Sequence, residues 1–246
     1  RRRPLKLTTH RHAATLKIAA AEDPKMSDKR QLLLVDGSGY IFRAFHALPP
    51  MTRGDGTPVN AVYGFTAMLM KLIDDMQPDH VAVVFDVARK TFRSDIFPDY
   101  KANRSEPPED LVPQFALVRE ATAALALPAI ELAGFEADDL IATYAAAAED
   151  AGLITTIVSS DKDLMQLVRG DITMLDPMKQ RRIGAAEVVE RFGVPPEQVV
   201  DVQALAGDST DNVPGVPGSG IKAAAELIDN YGDLETLLAR AGEIKQ

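Results

Sequence analysis

Apolar positions along the chain fall into two alternating kinds of run. Four are short, continuous and rich in β-branched residues: Gln31 to Val35, Val81 to Phe85, Ile154 to Val158 and, more weakly, Ile172 to Leu175. Each is bounded by turn formers, the pattern of strands buried on both faces of a parallel sheet. Between them the apolar positions recur at helical spacing and predict helices over Asn60 to Met76, Glu109 to Leu127, Ala137 to Ala151 and Ala185 to Phe192. This alternation predicts an α/β fold, a mainly parallel central sheet with helices on both faces. Past residue 194 the pattern becomes all-helical. A helix opens at Pro195-Pro196 and runs to about Ala206, Gly207 to Gly220 is rich in glycine and proline, and two helical segments follow over Ile221 to Tyr231 and Leu234 to Ala241. The expected organisation is an α/β domain over residues 26–194 and a helical appendage over 195–246. Phe97 to Pro113 interrupts the first domain as a long charged loop, too polar for the core; such loops are usually functional or mobile.

Composition sharpens this picture. With 46% apolar residues in 246 the chain can bury a sizeable core, and no apolar run approaches the 18 residues of a membrane span. Cysteine is absent, which removes disulfides and thiolate metal sites and fits a reducing cytoplasm. Residues 1–25 form a basic leader, with Arg1, Arg2, Arg3, Lys6, Arg11, Lys17 and Lys25 against Glu22 and Asp23. Met26-Ser27-Asp28 looks like a natural start, so the leader is set outside the fold, as translated upstream sequence in preference to a transit peptide. The net charge of −9 argues against a uniformly basic surface that coats nucleic acid. It leaves room for an enzyme that concentrates carboxylates around cations.

The acids are not scattered. Asp36, Asp86 and the pair Asp161/Asp163 each fall at or just past the end of an apolar run, on the carboxyl edge of the sheet where ligands of open α/β folds bind. Glu136, Asp138 and Asp139 open a helix beside them, and Asp208 and Asp211 begin the glycine-rich turn. Singly, each has an ordinary explanation as a turn residue or as a helix-start acid contributing about 0.3–1 kcal/mol. Together they would repel one another unless cations sit among them. Hard oxygen donors, with no cysteine in the chain and no histidine beside these acids, select Mg²⁺ or Mn²⁺. Two such ions roughly 4 Å apart activate water and stabilise a leaving oxygen, so the pattern points to hydrolysis of phosphodiesters.

A set of motifs then occurs in order: Leu34-Val35-Asp36-Gly37-Ser38, Tyr63-Gly64-Phe65, Val84-Phe85-Asp86, Tyr100-Lys101-Ala102-Asn103-Arg104, Glu136-Ala137-Asp138-Asp139, Asp161-Lys162-Asp163-Leu164 and Gly207-Asp208-Ser209-Thr210-Asp211-Asn212-Val213-Pro214-Gly215-Val216. From about Gln31 onward the chain resembles the flap endonuclease (5′ nuclease) family, and within it the 5′–3′ exonuclease domain at the front of bacterial DNA polymerase I. The resemblance implies a first metal cluster of Asp36, Asp86, Glu136, Asp138 and Asp139, and a second of Asp161, Asp163, Asp208 and Asp211, some acting through water. It makes residues 97–113 an arch for a single-stranded 5′ end. There Lys101 and Arg104 stabilise charge on the scissile phosphate and Phe97 and Tyr100 stack on bases. Arg43 matches a family arginine near the substrate phosphate; a surface salt bridge is its ordinary alternative, and His46 is read as structural.

Residues 195–246 become a helix–turn–helix-like clamp. Gly215, Gly218 and Gly220 would let backbone amides approach a phosphate, Lys222 would add a charge, and loop carbonyls would hold a monovalent cation such as K⁺. Ser219 and Ile221 depart from the commoner residues of the family loop. Relatives continue the helical domain further, so the appendage is expected to be truncated and the chain to be the front of a longer polymerase. Expected partners are DNA with a 5′ flap, nick or free 5′ end, an RNA primer–DNA hybrid, and a polymerase domain in cis. A monomer in the bacterial cytoplasm is the default. Two other readings stay open, a PIN-type ribonuclease, which usually lacks the arch and glycine-rich clamp, and a DNA-binding module that has lost its chemistry.

Overall fold

The structure, a computed structural model, describes residues 29–244; the basic leader lies outside them. Six strands form one sheet: β1 Gln31–Asp36, β2 His80–Val84, β3 Ala129–Ile130, β4 Ile154–Val158, β5 Ile172–Asp176 and β6 Arg181–Ile183. Their order is β3-β2-β1-β4-β5-β6, parallel except for the antiparallel edge strand β6. Chain order reverses between β1 and β4, and a crevice at such a reversal is where open α/β sheets bind ligands. β1 carries Leu34 to one face and Leu33 and Val35 to the other, and all three are buried, as a central parallel strand requires.

Helices cover both faces. On one, α1 (Gly37–Ala47), α2 (Asn60–Met76) and α4 (Gln114–Ala124) bring Ile41, Phe65, Leu69 and Val118 against Leu33, Val35, Val83 and Val158. On the other, α5 (Ala137–Asp150), α6 (Ala185–Phe192), α7 (Val199–Ala206) and α8 (Ile221–Tyr231) bury Ile141, Val188, Val202 and Ile228 with Leu34, Val84, Ile157 and Met174. The C-terminal helices, ending in α9 (Leu234–Ala239), thus share a hydrophobic core with the sheet. Among the described residues no helix is long and apolar enough to cross a membrane.

Three local features depart from the sequence reading. The helix expected from Glu109 starts at Gln114, because Pro113 occupies its N-cap and the residues before it form turns. Buried Gln114 then accepts from the free N-terminal amides of Ala61 (2.7 Å) and Val62 (3.2 Å), capping α2 from across the fold. β3 and β6 are too short or too charged to stand out as apolar runs. Finally, α3 (Phe92–Ile96) is a single extra turn of helix at the root of the charged loop.

Candidate active site

The strand ends deliver their acids to the crevice between β1 and β4. Asp36 closes β1 and caps α1, accepting from Gly39 N–H at 3.0 Å and from the Ser159 hydroxyl at 2.8 Å. Asp86, just past β2, accepts from the Ser38 hydroxyl at 2.6 Å and from Ala137 N–H at 2.8 Å, tying the β2 end to the start of α5. Asp161 follows β4 and caps the 3-10 turn Lys162–Leu167, and its own N–H rests on Ser159 Oγ at 3.0 Å. Asp138, in the first turn of α5, completes this group. Burial raises the carboxyls of Asp36, Asp138 and Asp161 above the usual range, and neighbouring negative charges add to it. For Asp138 the strongest of those neighbours is Asp161, followed by Asp36. Asp161, placed with the second cluster from the resemblance, is therefore coupled electrostatically to members of the first.

The remaining acids are paired with cations. Glu136, only 6% exposed, accepts from Lys101 Nζ at 2.7 Å and from the Tyr100 hydroxyl at 3.2 Å. Asp211 takes the other side of the same groups, with the Tyr100 hydroxyl at 3.1 Å, Lys101 Nζ at 3.6 Å and Arg104 against its second oxygen. Tyr100 is thereby sunk among acids, and its hydroxyl is pushed up by burial and by Glu136 and Asp211. Its ring lies beneath Lys101 (4.9 Å), and Tyr100 also lines the cleft described below. Phe97 is half-buried at the end of α3. Asp139 holds Arg93 in a two-pronged pair at 2.7 and 2.8 Å and caps Glu136 N–H, and it is lowered chiefly by Arg93. Lys162 bridges Asp163 (2.9 Å) and Asp208; burial works against Asp208, yet Lys162 and Thr210 N–H outweigh it and lower its carboxyl.

Arg43 projects from α1, and its Nη1 is buried without a hydrogen-bond partner, an unusual state for a guanidinium. A cleft of about 450 Å³ runs between α5 and α7, lined by Tyr100, Glu136, Asp138, Asp139, Asp163 and Asp208 among others. A neighbouring hollow of about 320 Å³ adds Arg104, Asp161 and Lys162.

In the glycine-rich segment the three glycines have different reasons to be there. A Cβ on Gly215 would stand 2.2 Å from Ala206 O and 2.7 Å from Gly207 N, so this glycine serves the packing of the loop on itself. Gly218 has φ +85° with open space around it, and Gly220 is the N-cap of α8, also open. Lys222 is exposed one residue into that helix. Sequence reasoning passed over Ser38, Ser159, Arg93, Lys162 and Gln203, all of which touch the acids. Ser38 and Lys162 sit inside the quoted motifs, so their position was available. The signal for Arg93 and Gln203 was absent, because α3 and α7 meet the acids only on folding.

Among the described residues no three acidic or histidine side chains converge closely enough to enclose a cation as they stand. The carboxylates of Asp36, Asp86 and Asp161 are turned toward serine hydroxyls and backbone amides. The donor chemistry nonetheless fits a hard divalent ion. Asp138 makes no hydrogen bond or ion pair among the described residues; Asp161, Asp36 and Asp86 repel it, and Lys101 offsets this only in part. Oxygen donors with mutual repulsion and no cation in contact are what such an ion satisfies.

Two family models match. "5′-3′ exonuclease, N-terminal resolvase-like domain" covers residues 31–193, and "5′-3′ exonuclease, C-terminal SAM fold" covers residues 194–246. The chain is 59% identical over 236 residues to a DNA polymerase I of Rhizobium leguminosarum, covering 93% of this chain and 23% of that protein. It is 40% identical over 209 residues to a 5′-3′ exonuclease of Aquifex aeolicus, covering 85% of this chain and 72% of that one. It thus spans about a quarter of the length of the DNA polymerase I relatives. Among solved structures, the bacteriophage T5 D15 flap endonuclease with DNA and metal ions aligns with a TM-score of 0.73 at 22% identity, over 86% of this chain and 79% of that one. The catalytic core of Rad2 with DNA substrate aligns at 0.56 and 18%, over 88% and 67%. At these identities the structural likeness speaks for the fold.

Proposed function

The chain belongs to the 5′–3′ exonuclease family, and on that premise we propose that it is a divalent-metal-dependent nuclease. It hydrolyses DNA phosphodiesters at 5′ flaps, nicks and free 5′ ends, including those primed with RNA. Its place is the front of a DNA polymerase I, with a polymerase domain in cis, in primer removal and repair. The observation that carries this reading is Asp138, repelled by Asp161 and Asp36, without an ion pair and only partly offset by the charge of Lys101.

Mg²⁺ or Mn²⁺, held by Asp36, Asp86, Asp138 and Asp161, with Asp163, Asp208 and Asp211 as the second donor group, would supply a water nucleophile and neutralise the leaving oxygen. The chain's own residues do the rest. Lys101 and Arg104, now shared with Glu136 and Asp211, would exchange carboxylate for the oxygens of a phosphate that enters beside those acids. The unpartnered Nη1 of Arg43 offers a donor for another phosphate oxygen. Gly218, Gly220 and Lys222, open at the start of α8, would hold duplex backbone without reading bases, with K⁺ at the loop carbonyls. The T5 and Rad2 structures, which hold DNA, support this choice of substrate.

The test is cleavage of a 5′-labelled DNA flap by the whole chain with Mg²⁺ and with EDTA. We expect magnesium-dependent release near the junction, and a loss of at least about a hundredfold in Asp161→Ala with DNA binding retained. Undiminished turnover in EDTA, or in Asp161→Ala, would overturn the metal reading. Tight structure-selective binding without cleavage would favour the non-catalytic module.

A further inference from the structure

The base of the arch is fastened to the loop that carries Asp208 and Asp211, and the fastening is reciprocal. Asn103, on the arch side, donates its amide to Ser209 O at 2.8 Å. Asn212, on the loop side, donates its amide to Asp99 O at 2.7 Å. Between these two bonds the backbone N–H of Lys101 reaches Asp211 O at 2.9 Å. Three hydrogen bonds, two from one asparagine on each segment, thus join residues 99–103 to 209–212. None of them uses a carboxylate, an ammonium or a guanidinium group.

Both backbones are unusual at this junction. Lys101 has φ +56°, a left-handed conformation that lysine seldom adopts. That inflection directs its Nζ to Glu136 and Asp211 rather than to solvent. Asn212 has φ +58°, which asparagine tolerates better than most side chains. The loop that bears it is closed by paired backbone bonds between Asp208 and Val213, both 2.8 Å, so it is a firm anchor. A disfavoured conformation persists only where surrounding contacts hold it, and here those contacts are the two side-chain amides and the Lys101 N–H.

We propose that Asn103 and Asn212 are positioning residues, a reciprocal amide clasp that holds the arch base on the acid-bearing loop and so aims Lys101 and Arg104 at the reacting phosphate. The functional half of this inference rests on the nuclease reading above; the clasp itself does not. The amides meet backbone carbonyls and have no sequence to read, so the clasp acts through placement of the two cations. Freed of it, Lys101 loses the contacts that hold its left-handed turn, and its Nζ samples solvent.

Two measurements on the whole chain test this. Asn212→Gly keeps the left-handed backbone and removes only the amide, and Asn103→Ala removes its counterpart. In limited trypsin digestion of the folded, ligand-free chain, each change should speed cleavage after Lys101 and Arg104 about fivefold while Tm falls by only about 2–4 °C, so that the opening is local. With a DNA flap and Mg²⁺, each should slow single-turnover cleavage about tenfold while the dissociation constant of the flap stays unchanged. Once Lys101→Ala is present, each should slow cleavage by clearly less than tenfold, because the part that acts through Lys101 is then already lost and only the part through Arg104 remains. An unchanged trypsin rate would overturn the clasp. A tenfold loss that persists in full in the Lys101→Ala background would overturn its role through Lys101. If the unaltered chain cuts no flap, the nuclease reading falls, and the trypsin rates alone decide whether the clasp exists.

Discussion

Asp138 shows at the scale of one residue how the site stores repulsion. Burial first, then Asp161 and Asp36, make its carboxyl hold a proton more tightly in the folded chain than in the unfolded one. A group raised in this way contributes stability fully below its ordinary value of 3.8, and that contribution is lost as pH rises through the higher folded value. Asp36 and Asp161 carry the same sign. In EDTA the Tm of the chain should therefore fall as pH rises above 3.8 and through the raised folded values of these acids. Divalent cation should restore it most at the upper end. Asp138→Asn should make the Tm-against-pH profile shallower and raise Tm at neutral pH, while abolishing flap cleavage. A steeper profile in that variant would show that Asp138 is compensated by something other than a metal ion.

At the scale of the element, the turn between α7 and α8 depends on backbone touching backbone. Gly207 (φ +73°) and Gly215 lie so close that a Cβ on either would meet the other within 2.7 Å. Gly215→Ala should destabilise the chain by about 2 kcal/mol or more, since backbone cannot yield as a side chain can. It should also remove cleavage, because Asp208 and Asp211 ride on this loop. Gly218→Ala, at φ +85° in open space, should cost only about 1–2 kcal/mol for its conformation. Urea denaturation of the two variants separates these cases. The glycine richness of this segment was visible in the sequence. Which glycine serves packing and which is open to a ligand was not, because that depends on what lies across the turn.

At the scale of the molecule, the boundary between the two family models does not divide the core. Val202, Leu205, Ala224 and Ile228, from helices beyond residue 194, lie in the same buried cluster as Leu34, Ile157 and Met174 of the sheet. One cooperative unfolding transition is therefore expected, coincident by far-UV circular dichroism and by tyrosine fluorescence. Ile228→Ala should lower the stability of the whole by about 2–5 kcal/mol and shift both signals together. Separation of the two would show that the C-terminal helices unfold independently. The shared core also keeps α7 and its following loop at a fixed distance from the sheet edge. That brings Asp163 of the sheet side and Asp208 of the helical side onto one lysine, Lys162.

The order of residues alone specified the four main strands, the long helices and the acids at the carboxyl ends of the strands. These follow from period and spacing, which are local properties of a chain. It also carried the family motifs, through residues that stand next to one another. Folding of the chain settled which group pairs with which. It coupled Asp161 to Asp138 and Asp36, sank Tyr100 between Glu136 and Asp211, set Arg93 on Asp139 and left Arg43 Nη1 without a partner. It also added β6 and placed Gln114 as the cap of a helix more than fifty residues earlier in the chain. The physical reason is common to all of these. Hydrogen bonds and charge coupling act over a few ångströms of space, and separation along the chain does not reveal that distance until the sheet and its helices have closed around the site.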